Sequence, residues 1–139
     1  MNRAHWQALA EEKIVAAKAL LAAQQWSSAY YLAGYAVEFG LKSCILVHVE
    51  RTGVIFLEKR FSEYCWSHDV KELASLAGLD AQLKTDTTAN PPLKANWEIV
   101  TSWNEKSRYE QQTQAKAEEL YNAITDAANG VMPWVRFRW

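Results

Sequence analysis

The stretch Tyr30–Val49, YYLAGYAVEFGLKSCILVHV, constrains this chain more than any other. It carries apolar groups on both faces of a helix, and such a helix has to be covered by neighbours on most of its sides. Its length raises the question of a membrane span. Glu38, Lys42 and His48 interrupt it, however, and Gly34 and Gly40 add little lipophilicity. The expectation is therefore the central, buried helix of a soluble bundle, with no membrane partner.

Composition agrees with that reading. A chain of 139 residues suits one domain with a core of useful size. Half of its residues are hydrophobic and 22% are charged, with only five glycines and three prolines, which favours helices. The formal charge of -1 provides no global positive field, so contact with RNA or DNA would need a local basic patch. Cys44 and Cys65 show no CxxC spacing and read as reduced thiols of a cytoplasmic protein. The opening MNRAHWQALAEEK lacks the apolar centre of a signal peptide.

Along the chain, Trp6, Leu9, Lys13, Ala16, Leu20 and Ala23 recur at helical spacing, widened by Ile14, Ala17 and Leu21. They predict a first helix from about Asn2 to Ala23. Ser27 or Ser28 is positioned to cap the second, which should run from Ser28 to about Arg51 and stop at Gly53. Residues 54–67 read as a short helix or an ordered loop. SHDVKELASLAGL predicts a short helix starting near Ser67 or Asp69 and ending at Gly78. DAQLKTDTTANPP is polar, Thr-rich and Pro-punctuated, and is expected to be an exposed connection. A third long helix is expected from about Pro92, with Leu93, Trp97, Val100 and Trp103 inward. After the polar junction EKSRYEQQT, the last long helix is expected over Gln112–Ala128, with Ala115, Leu120, Ile124 and Ala127 inward. The tail VMPWVRFRW leaves the helix at Gly130, and only there is strand alternation conceivable. The fold class is all-α: an up-and-down antiparallel bundle of four long helices plus one or two short ones. Residues 1–130 form the bundle and 131–139 an aromatic, basic tail.

Chemistry is harder to find. His5, His48 and His68 are far apart in sequence and outside any HExxH pattern, so no metal or cofactor is expected. There is no Gly-rich phosphate loop and no GxSxG elbow. His68 and Asp69 are adjacent, which on a helix points them in different directions, and capping is their simplest role. What remains is Glu38 and Lys42, four residues apart on one helical face. With Val37, Leu41 and Ile45 beside it, Glu38 should be partly buried, and a buried carboxylate costs several kcal/mol unless paired. Lys42 could pair with it or extend outward. Arg108, in WNEKSRY, is the other cation within expectation, able to make a bidentate contact.

Three blocks, Trp26–Ser43 (WSSAYYLAGYAVEFGLKS), Ser67–Leu73 (SHDVKEL) and Trp103–Tyr109 (WNEKSRY), together resemble the HEPN domain family in order and spacing, over about residues 5–128. The first block is the most specific, with Glu38 and Lys42 matching the polar motif of the family's second helix. The resemblance implies an up-and-down bundle, often a homodimer, and often encoded beside a minimal nucleotidyltransferase in toxin–antitoxin or defence systems. Active members are implied to be metal-independent endoribonucleases using an arginine followed, four to six residues on, by a histidine. Here Arg108 matches the arginine, but Gln112, Thr113 and Gln114 stand where the histidine would be, and no histidine follows. Glutamine cannot exchange a proton near neutral pH. The resemblance thus implies a non-catalytic partner that binds a nucleotide, RNA or a nucleotidyltransferase-like protein through Glu38, Lys42, Arg108 and Tyr109. His68, Asp69 and Gln112 are secondary candidates. Two alternatives stay open: a divergent ribonuclease in which Arg108 acts with another residue, and a bundle in which a Glu38–Arg108 pair only sets helix register. The tail, with its two tryptophans, a phenylalanine and two arginines, either folds back on its own bundle or docks on a second chain.

Overall fold

The computed structural model of the chain describes residues 1–57 and 59–139, without the side chains of Ile55 and Leu57. It is an all-α helical bundle, with no strand among the described residues. Helix α1 (Arg3–Ala22) begins where the Asn2 side chain accepts a hydrogen bond from the His5 amide, and ends in a tight turn with Gln24 at φ 58°. The chain returns as α2 (Trp26–Thr52), packed along α1 over most of its length. Neither Ser27 nor Ser28 caps α2. The helix starts at Trp26, two or three residues earlier than such a cap would allow, and the Ser27 hydroxyl instead accepts a bond from the Gln112 amide at 2.8 Å. At the far end Gly53 adopts φ 65°, and the left-handed residue stops the helix as the sequence suggests.

Helix α2 is the axis of the bundle. Its Val37, Leu41, Cys44 and Ile45 are buried, and α1, α5, α8 and α9 all pack on it. Its small residues set how closely those neighbours approach. A Cβ on Gly34 would lie 2.1 Å from the Trp103 indole, and one on Gly40 would lie 2.8 Å from Val135. An 18-residue window of α2 is apolar enough to cross a membrane, yet 61% of it is buried inside the bundle.

Two one-turn helices follow, α3 (Val54–Leu57) and α4 (Phe61–Tyr64), with Phe61 reaching the core. The expectation of a short helix or loop over 54–67 is met by both, except at Glu58, which lies outside the described residues. Helix α5 (Val70–Leu76) is capped by Asp69, whose carboxylate accepts from the Lys71 and Glu72 amides at 2.9 and 3.1 Å. It ends at Gly78, where φ is 71° and a Cβ would lie 2.6 Å from the His48 ring.

The expected exposed connection is instead a helix, α6 (Asp80–Ala89). None of its residues is buried, so it carries no apolar stripe to advertise it. Polar contacts hold it: Asp86 accepts from the Trp134 indole at 2.8 Å and pairs with Arg138 at 2.9 Å. Asn90 then caps α7 (Pro91–Thr101), whose first turn takes Pro91 and Pro92 where a missing amide proton costs nothing. A 3-10 turn (Glu105–Tyr109) leads to α8 (Gln114–Thr125), capped by Thr113. This helix is shorter than expected at both ends; Leu120 and Ile124 point inward as expected, but the two alanines expected with them do not. Ala117, Leu120, Ala123 and Ile124 are buried, while Ala115 and Ala127 are exposed. The tail is helical as well. In α9 (Val131–Arg136), Val131, Met132 and Val135 enter the same core as α2, so residues 131–136 fold back on the chain's own bundle.

Candidate functional site

Along α2, Tyr31, Tyr35, Glu38 and Lys42 stand at spacings of four, three and four, which places them on one stripe of the helix. Glu38 is 1% exposed and Lys42 7%, and the Lys42 ammonium donates to Glu38 Oε1 at 2.8 Å. Lys42 therefore does not extend into solvent. Its Nζ lies 5.3 Å from the Trp6 ring and 5.8 Å from the Trp66 ring, between two indole faces that stabilise a desolvated cation.

The second partner of Glu38 is His68. Its Nδ1 lies 3.1 Å from Oε1 and 3.2 Å from Oε2, and with the proton on Nδ1 it donates to the carboxylate. The Asp69 cap fixes where α5 begins and so holds the preceding histidine against α2. Side-chain exposure of 44% leaves the rest of the imidazole open to solvent. The expected Glu38–Arg108 pair does not form: among the described residues the ionic partners of Glu38 are Lys42 and His68. The cause is register. Trp103 seats on Gly34, one turn before Glu38, and carries the following 3-10 turn alongside Tyr31 rather than Glu38.

Two tyrosines lead from His68 toward Arg108. The Tyr35 ring meets the His68 ring edge-on at 6.1 Å and the Trp103 ring at 5.1 Å, and its hydroxyl lies 3.3 Å from that of Tyr31. Burial, then the Tyr31 hydroxyl and the Glu38 charge, push the Tyr35 phenol well above its ordinary pKa, with Arg108 acting in the opposite sense. The Tyr109 hydroxyl first, and that of Tyr31 after it, raise the pKa of Arg108. The exposed Arg108 guanidinium lies 4.7 Å from the Tyr109 ring, itself 77% exposed. No carboxylate pairs with Arg108 among the described residues.

The arrangement is a polar ladder from a buried ion pair to a solvent-facing cation: Lys42, Glu38, His68, Tyr35, Tyr31, Arg108, with Tyr109 at its outer end. Gln112 stays outside it, its side chain bonded to Glu110 at 3.2 Å. Asp69 serves as a cap. Tyr31, Tyr35, Trp6 and Trp66 were not among the residues singled out from the sequence. The tyrosines were within reach of such reasoning, because they continue the spacing of Glu38 and Lys42; the tryptophans come from α1 and from the turn after α4, and only folding brings them together. No group of three His, Cys, Asp or Glu side chains is arranged to hold a metal among the described residues. No protein-family model, curated protein or solved structure matches the chain.

Proposed function

We propose that this is an HEPN-like binding protein whose Arg108–Tyr109 face takes the phosphate and base of a nucleotide or of single-stranded RNA. The reading includes a homodimer and a nucleotidyltransferase-like partner in a toxin–antitoxin or defence setting, as the HEPN resemblance implies. One observation carries the ligand class: an exposed guanidinium, without a carboxylate partner among the described residues, lies over an exposed tyrosine ring. A guanidinium matches phosphate geometry, and an exposed aromatic face stacks on any base. Arg108 is raised further above its ordinary pKa by its tyrosine neighbours, so it stays a cation at every relevant pH.

Binding of a fluorescein-labelled oligouridylate, followed by anisotropy, tests this. The protein should bind with an affinity that falls as salt rises. Tyr109→Ala should weaken binding by about tenfold, the loss of one stacking contact. Absence of saturable binding at low salt would refute the reading.

A second reading is favoured by the position of His68. With Nδ1 held by Glu38, Nε2 is left to exchange a proton, the arrangement of an oriented general base. In a divergent, metal-independent ribonuclease, Nε2 would take the proton of a 2′-hydroxyl as its oxygen attacks the adjacent phosphorus. The P–O5′ bond would break with the 5′-oxygen taking a proton from solvent water, and Arg108 would face the developing charge. Cleavage of single-stranded RNA in EDTA to a 2′,3′-cyclic phosphate, lost in both His68→Ala and Arg108→Ala, is the expected signature. RNA that is bound but left intact refutes catalysis and leaves binding standing.

A further inference from the structure

Beside Lys42 the molecule holds a cavity of about 290 Å³, walled by Trp6, Ile45, Leu46, Val49, Phe61 and Trp66. Its walls are almost wholly apolar. Cys65 adds a thiol whose pKa burial pushes up, so it brings no charge at neutral pH. Among the described side chains that line it Lys42 is the one cation, with Met1 and Ser62 also on the walls, and its ammonium donates to a single acceptor, Glu38 Oε1. An ammonium has three donors. The rings of Trp6 and Trp66, which stand 5.3 and 5.8 Å from the same Nζ, both line the cavity and offer no oxygen or nitrogen acceptor on their faces. A buried donor without an oxygen or nitrogen acceptor leaves hydrogen-bonding capacity that a ligand can use.

We propose that this cavity binds a compact apolar molecule bearing a neutral carbonyl, with the carbonyl oxygen accepting from Lys42 and the apolar body against the two indoles. Size sets the scale: an apolar cavity of about 150 Å³ holds benzene, so this one takes roughly a dozen non-hydrogen atoms. Electrostatics chooses the head group. Glu38 already neutralises Lys42, and a second carboxylate placed beside the first would repel it in a poorly solvated site. A ketone, ester or amide oxygen takes the free donors without that repulsion. Trp66, two-thirds exposed, forms the outer wall and can report on filling. The proposal stands independently of RNA binding, because none of Arg108, Tyr109, Tyr31 or His68 lines the cavity.

Three probes of nearly equal size separate its parts: 4-phenylbutan-2-one, 3-phenylpropanoate and butylbenzene, each titrated against the intrinsic tryptophan fluorescence of the intact chain. The ketone should give a saturable change, with the hydrocarbon weaker by about tenfold for want of the hydrogen bond. The carboxylate should also be weaker than the ketone. Leu46→Trp, which fills the cavity from one wall, should abolish the response to the ketone; Val49→Phe does the same should the first variant lose its helical circular dichroism. A ketone response that survives in a folded cavity-filling variant would overturn the site. A hydrocarbon binding as tightly as the ketone would overturn the role of Lys42, and a carboxylate binding more tightly would overturn the choice of a neutral head group. No response to any of the three would overturn the proposal altogether.

Discussion

Two regions of this molecule combine arginine with exposed aromatic rings, and they use them differently. In the tail each guanidinium is committed. Arg136 makes a bidentate contact with Glu11 at 2.7 and 2.9 Å. Arg138 bonds Asp86 and the Trp134 carbonyl and lies 3.9 Å over the Trp134 ring. At the 3-10 turn, Arg108 meets only the hydroxyls and ring of tyrosines. The same residue types therefore act as internal fastening in one place and, in the other, stand without a carboxylate partner among the described residues. Composition does not separate them; the presence of a carboxylate partner does. Glu38 shows the third case, a buried carboxylate whose partners, the Lys42 ammonium and the His68 ring, are supplied from its own helix and from the start of α5.

The largest perturbation should come from the buried pair. Glu38→Ala leaves the Lys42 ammonium nearly buried without an anion, and unfolding in urea should show a loss of about 3–5 kcal/mol. A loss below about 1 kcal/mol, the range of exposed pairs, would mean that Glu38 is solvated like the tail carboxylates. Gly34→Ala comes next. Its methyl would meet the Trp103 indole at 2.1 Å, and displacing a buried ring should cost about 1–3 kcal/mol. That variant should also disturb the Arg108 turn, which Trp103 places. Arg136→Ala should cost less than about 1 kcal/mol, because the two side chains are 37% and 46% exposed and solvent screens the pair.

The smallest effect is a pH dependence at the tail. The Trp134 indole first, then Gln82 and Arg138, hold the Asp86 carboxyl below its ordinary value of 3.8. A depressed folded pKa contributes stability that is present above the unfolded value and lost as pH falls through the folded one. Acid titration of stability should therefore be shallower in Asp86→Asn below about pH 4. Parallel titrations in the two proteins would remove Asp86 from the tail's fastening.

Much of the fold was legible because strong local rules act alone. Gly53 and Gly78 end helices by adopting positive φ, and Asp69 caps α5, all read from residue type and position. The buried character of α2 followed from its apolar faces. Helix α6 was missed because DAQLKTDTTA packs only Leu83, partly buried, against the core, and its polar anchors, Trp134 and Arg138, lie about fifty residues away in sequence. In α8 Leu120 and Ile124 were read correctly, but alanine occurs on both faces, so hydrophobic spacing did not tell Ala115 from Ala117. At the site, Glu38 with Lys42 was visible as a neighbour pair on one helix. His68, thirty residues from Glu38, was not, since only the packing of α5 on α2 joins them. Arg108 was found but assigned the wrong partner, because Gly34, which sets its register through Trp103, carries no side chain to signal the contact.

The most direct test of the central claim sets the two kinds of arginine against each other. Arg108→Ala and Arg136→Ala remove the same charge, one from the free face and one from a bidentate pair. Anisotropy of a labelled single-stranded RNA, measured with both variants and the parent protein in one buffer, should show binding reduced about tenfold or more for Arg108→Ala and essentially retained for Arg136→Ala. Equal losses in the two variants would reduce the interaction to diffuse charge, and retained binding in Arg108→Ala would contradict the assignment of that face.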